Sequence, residues 1–147
     1  MNLLLRASAL VTIALASVAL THGADLKSIA TTAAAPELAG EFQGQWRARN
    51  DSGGDLRITF SQVKDAAPTA EAMFTFEGAN VPTKTKSLTI DGKKFELVFA
   101  WEIQGVASST KLTGELKGDV LEGSYESQTA ERAATGTWTI KRVKSSS

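Results

Sequence analysis

The sequence predicts an all-β fold: an eight-stranded antiparallel up-and-down barrel, with a β-sandwich as the alternative. From Phe42 onward, apolar and polar residues alternate with a period of two, so every second side chain shares a face. The alternating runs are short and joined mostly by hairpin-length connections, as in a meander. Each run has one apolar face, and a single sheet buries such a face and loses its edges together by curling until its first and last strands meet. The chain has 147 residues, 42% of them hydrophobic, and no cysteine, so one hydrophobic core must hold the fold without disulfides.

The strands follow in order. Phe42 to Arg49 places Phe42, Gly44, Trp46 and Ala48 on one face. Asp55 to Val63 alternates Leu56, Ile58 and Phe60 against Arg57, Thr59 and Ser61, and Glu71 to Glu77 turns Phe74 and Phe76 inward. Thr83 to Ile90 leads through Asp91-Gly92, a strong hairpin signal, into Lys94 to Glu102 with Phe95, Leu97, Phe99 and Trp101 inward. Ser108 to Lys117 turns at Gly118-Asp119 into Val120 to Ser127, and Gly136 to Val143 completes the set with Trp138 and Ile140 inward. In the fourth strand Lys84 and Lys86 share parity with Leu88 and Ile90. A regular strand would point them inward, whereas a bulge near Ser87 would turn them to solvent.

Ahead of the strands, Met1 to Arg6 carries one positive charge and Ala7 to Leu20 is a short apolar run, with Gly23 before Ala24 as the cleavage position. This is the pattern of a signal peptide over residues 1–23, too short for a spanning helix. Residues 24–40 form an Ala/Thr-rich linker, within which Pro36-Glu37-Leu38-Ala39 can close one helical turn. The barrel then occupies residues 41–143 and a disordered tail residues 144–147. The expected product is secreted or periplasmic and free of the membrane after cleavage.

Composition narrows the chemistry. Sixteen basic and sixteen acidic side chains balance, and the pI is near 6.6, which lacks the electrostatic footprint of a nucleic-acid binder. Cleavage would remove His22, the only histidine. Without His or Cys, a Ser-His-Asp relay, a Cys-His pair and a His- or thiolate-ligated metal cannot be built, and no catalytic residue, cofactor site or metal site is assigned. The loop Asn50 to Asp55 could offer oxygen ligands to calcium, but its Asn, Asp and Gly are also what a hairpin loop needs. Glu96, Glu102, Glu115, Glu122 and Glu126 have outward parity and read as barrel exterior.

Gly44-Gln45-Trp46, Gly114-Glu115-Leu116, Gly123-Ser124-Tyr125 and Gly136-Thr137-Trp138 each set a glycine beside a bulky inward residue, leaving room for a neighbouring ring and letting the strand bend. A Gly-x-Trp opening after a possible helical turn, eight meandering strands and a closing basic residue resemble the calycin superfamily of lipocalins, fatty-acid-binding proteins and avidins. The resemblance spans about Leu38 to Arg142. It implies a tryptophan at the closed end covered by a basic residue from the chain's end, here Trp46 and Arg142. The chain departs from the family in having no disulfide, no long lid and no helix pair between its first strands. Gly44-Gln45-Trp46 followed by Asn50, Ser52 and Gly53 is similar to the opening of avidins, but the later tryptophan and serine motifs that would wrap biotin are not recognisable.

Two functions fit a barrel of this kind: a carrier with a shallow cup for a small apolar ligand, or a filled interaction module that docks on a protein partner, as secreted protease inhibitors do. A cup is expected at the end opposite Trp46, where Asn50 to Gly54, Glu77 to Val81, Ile103 to Ala107 and Ser127 to Thr135 read as the longer loops. The inward residues nearest that mouth are Leu56, Phe76, Trp101, Thr110 and Tyr125.

Overall fold

The computed structural model describes residues 37–62 and 65–145; the expected signal peptide and residues 24–36 of the linker lie outside them. Eight antiparallel strands run in chain order: β1 (Gly40–Ala48), β2 (Gly53–Ser61), β3 (Thr69–Phe76), β4 (Ala79–Asp91), β5 (Lys94–Ile103), β6 (Val106–Lys117), β7 (Val120–Thr129) and β8 (Ala133–Arg142). Each pairs with its sequence neighbours, and β1 pairs with β8 from Phe42↔Arg142 to Ala48↔Gly136, which closes the barrel and excludes the sandwich. Glu37 and Leu38 have helical backbone just ahead of β1, and Leu38 is fully buried. The end of the expected linker therefore belongs to the core, with Leu38 plugging the base of the barrel.

The period-two pattern sets the interior as expected, except where strand geometry intervenes. In β4 the register shifts between Thr85 and Ser87, so inward positions pass from Val81, Thr83 and Thr85 to Leu88 and Ile90. Lys86 is the extra residue of this bulge, and both Lys84 and Lys86 are exposed. The β3–β4 ladder is also short, running only from Phe76↔Ala79 to Met73↔Pro82. Proline has no amide hydrogen, and below it the Thr83 and Thr85 hydroxyls, instead of backbone amides, donate to the carbonyls of Ala72 and Ala70.

The glycines act in two ways. A Cβ on Gly114 would sit 2.4 Å from the Trp138 ring, so this glycine is a shelf for an aromatic side chain, and one on Gly136 would meet both the Arg47 carbonyl at 2.0 Å and the Tyr125 ring at 2.5 Å. At Gly44 and Gly123 the obstacle is backbone, with Thr139 O at 2.1 Å and Thr113 O at 1.8 Å from the added carbon. There the missing side chain lets adjacent strands coil past one another.

The ends of the barrel differ in a way that corrects the sequence reading. At the base lie the start of β1, the end of β8, the two-residue turns Gly92-Lys93 and Gly118-Asp119, and the longer β2–β3 connection. The opposite end carries two-residue turns over 77–78 and 104–105 and slightly longer connections over 49–52 and 130–132. Glu77-Gly78 and Gln104-Gly105 have positive φ at both positions (50° and 80°, 52° and 78°), the two-residue hairpin geometry that matches strand twist. Two of the four expected longer loops at this end are thus two-residue turns, because Glu-Gly and Gln-Gly adopt the turn usually signalled by Asn-Gly or Asp-Gly, while residues 49–52 and 130–132 stay longer.

Trp46 is also relocated. It pairs with Gly54 and Trp138, two residues before the end of β1, and so lies in the upper half of the barrel. The residue at the closed end is Phe42, and the Arg142 guanidinium stands 4.5 Å from its ring centre. β1 begins at Gly40, so the four residues Gly40 to Gln43 stand between the base and the Gly-x-Trp motif.

Candidate functional site

The interior divides into a packed base and an open cup. Phe42, Ile58, Ile90, Leu97, Leu121, Trp138 and Ile140 fill the lower half and are almost wholly inaccessible. Above them a concavity of about 820 Å³ opens between the turns of the upper end. It is lined by Leu56, Phe76, Trp101, Thr110 and Tyr125, together with Trp46, Phe74, Phe99 and Ser127. All five residues expected near the mouth thus face one space. Trp46 joins them instead of the closed end.

One wall of the cup is aromatic. Trp46 meets Phe74 and Tyr125 edge-on, at ring-centre distances of 6.4 and 6.0 Å, and runs nearly parallel to Phe76, with 11° between the planes. Phe74 in turn packs edge-on against Trp101 at 5.4 Å. Gly54 makes the Trp46 position possible, since a Cβ there would fall 2.9 Å from the indole nitrogen. That nitrogen donates to Thr75 O at 3.0 Å, so the ring's polar edge is satisfied and its faces remain apolar.

The opposite wall carries hydroxyls. Cross-strand pairing places Phe99 beside Thr110 and Thr110 beside Ser127. Trp101 Nε1 donates to Thr110 Oγ1 at 2.8 Å, and Thr110 Oγ1 lies 2.6 Å from Ser127 Oγ. Ser108, opposite Trp101 in the ladder, has a buried hydroxyl with no hydrogen-bond partner among the described residues. Burial raises the Tyr125 phenol above its ordinary pKa of 10.0 and keeps it neutral.

No protein-family model, no curated protein and no solved structure matches the chain. The chemistry of the cup must be read from its own residues. A volume of about 820 Å³ lies within the range of small-molecule sites, which are mostly apolar with a few placed polar groups.

The rim adds charge. Arg49 and Arg132 line the mouth, with Glu77 as the one acid in the lining. The Arg49 turn is fixed by Asn50, whose Oδ1 accepts from the Ser52 amide and hydroxyl, a hairpin role. The Arg132 turn is fixed by Thr129, whose hydroxyl accepts from the Glu131 and Arg132 amides. A second concavity of about 730 Å³ crosses the barrel exterior over Gly114 and Gly123. It is bordered by Glu96, Glu115 and the Lys117–Glu122 ion pair, and so reads as solvated surface.

Sequence reasoning missed Ser127, Phe74, Arg49 and Arg132 as cup residues. Ser127 could have been found by parity, since it continues the inward series Leu121, Gly123 and Tyr125. The arginines carried no such signal: Arg49 reads as the outward end of the first strand and Arg132 as loop, whereas both sit on turns at the mouth.

Proposed function

We propose that this is an exported, calycin-like binding protein whose cup takes a small apolar ligand. The observation that carries the reading is the concavity between Trp46, Phe74, Phe76 and Trp101 on one side and Thr110 and Ser127 on the other. An aromatic wall supplies area, and a short polar row fixes orientation. The packed base favours a shallow cup over a deep tunnel. Export rests on the Met1 to Gly23 pattern, and the calycin likeness on the eight-stranded meander and Gly44-Gln45-Trp46.

The test is uptake of N-phenyl-1-naphthylamine, an uncharged probe that fluoresces in apolar surroundings. Saturable uptake at one probe per chain, weakened by Trp101→Ala in a variant that keeps its circular dichroism, is the expected result. A second reading, docking on a protein partner, is favoured by the exposure of Phe76 and Val106 beside the mouth, 37% and 53%. Folded wild-type protein that takes up no probe, yet shows a stoichiometric protein partner by native mass spectrometry, would replace the first reading with the second.

A further inference from the structure

We infer that the cup selects a planar aromatic ligand carrying a carboxylate, with the carboxylate held at the β7–β8 side of the mouth by Ser127 and Arg132. The inference rests on the binding reading above and specifies its ligand class. It starts from the direction of one hydrogen-bond chain. Thr110 Oγ1 accepts from Trp101 Nε1, so its oxygen is committed on that side while its single proton still needs an acceptor. Thr110 is buried, and the oxygen within reach is Ser127 Oγ at 2.6 Å. If Ser127 donated instead, the proton left over would be on Thr110, the more buried of the two residues, where an acceptor reaches it less easily. Thr110 therefore donates, and the Ser127 proton is left to point into the cup. A chain running indole N–H to hydroxyl to hydroxyl polarises its last donor. The cup thus presents an unspent donor and calls for an acceptor on the ligand.

The rim decides the charge of that acceptor. Arg132 rides on the turn directly above Ser127, and Arg49 rides on the neighbouring β1–β2 turn, because β1 and β8 are paired up to Ala48↔Gly136. Neither guanidinium is in an ion pair among the described residues. Asp51 and Glu131 share these two turns but do not line the mouth, and Glu77 is on the β3–β4 turn, separated from Arg132 by the β1–β2 turn, so the cations that face the cup are on its Ser127 side. A carboxylate there can accept from a hydroxyl and a guanidinium at once. The ring behind it would lie against the aromatic wall that Trp46, Phe74 and Phe76 give the cup.

Two isosteric probes, 2-naphthoate and 2-naphthamide, differ in this one charge. Titration calorimetry should find 2-naphthoate bound about tenfold more tightly, the worth of one hydrogen bond to a charged group. Arg132→Gln, a change on an exposed turn, should close most of that gap by weakening 2-naphthoate far more than 2-naphthamide. Ser127→Ala should reduce the gap further. Equal affinities for the two probes, or a gap that survives both substitutions, would overturn the ligand class and leave the binding reading standing. Failure of all three probes to bind the folded protein would remove the binding reading and this inference together.

Discussion

The guanidinium of Arg142 lies 4.5 Å from the centre of the Phe42 ring while its terminal nitrogens donate to the carbonyls of Ala39 and Glu37. One side chain thus covers the base of the barrel and holds the segment carrying Leu38 in place. Its ion pair with Asp119, 3.5 Å away and 69% exposed on the acid, adds little. Arg142→Ala should cost about 1–3 kcal/mol by urea denaturation, from lost carbonyl bonds and the cation–ring contact. Arg142→Lys should recover only part of this, because an ammonium cannot stack flat and serve two carbonyls. Unchanged stability in both variants would mean that Leu38 is held by its own burial.

Gly123 and Gly92 make a matched pair of alanine substitutions. At Gly92 nothing lies within 4 Å of an added carbon, and the cost is that of φ +62°, roughly 1–2 kcal/mol. At Gly123 the carbon would collide with the Thr113 carbonyl at 1.8 Å, so strands β6 and β7 must separate. Overpacking of this kind costs about 1–3 kcal/mol or more, and Gly123→Ala should be the worse of the two in a thermal melt.

Ser108 offers the reverse sign. Its hydroxyl is buried without a partner among the described residues, so Ser108→Ala removes a desolvation cost of about 1–3 kcal/mol and little packing. The variant should melt at or above the wild-type temperature. A clear fall would mean that the hydroxyl is satisfied in solution.

Tyr125 is the only tyrosine in the sequence, so tyrosinate absorbance reports it alone. Desolvation raises its pKa, which means the folded protein holds the proton after the unfolded chain has begun to lose it. Stability is therefore unaffected by this group below about pH 10 and falls as pH rises from there through the folded-state pKa. The titration midpoint should lie above that of the urea-unfolded chain and rise again when an apolar probe fills the cup.

Much of the fold was legible because alternation in a half-buried sheet is nearly a direct record of which side faces in. Trp101, Thr110 and Tyr125 could be placed inward and near the mouth from parity and strand order alone. What escaped depended on strand length and turn type. The start of β1 lies two residues earlier than alternation suggested, which was enough to make Phe42 the partner of Arg142 and send Trp46 to the cup. Glu77-Gly78 and Gln104-Gly105 hid tight turns behind residues that seldom announce them. The Trp101–Thr110–Ser127 hydrogen-bond chain needed distances, which no spacing provides.

Seven of the eight interstrand ladders join consecutive segments, and only β1–β8 brings the ends of the sheet together. The chain can therefore zip hairpin by hairpin at small entropic cost and meet one expensive loop closure last. Closure buries the remaining unpaired strand edges, and the Arg142 clasp forms in that same event. On this order of events, substitutions in the central hairpins slow refolding, while Arg142→Ala mainly speeds unfolding, because its contacts do not yet exist at the barrier. A stopped-flow chevron separates the two. The clasp at the base would then set how long a closed barrel lasts, with almost no say in how fast it forms.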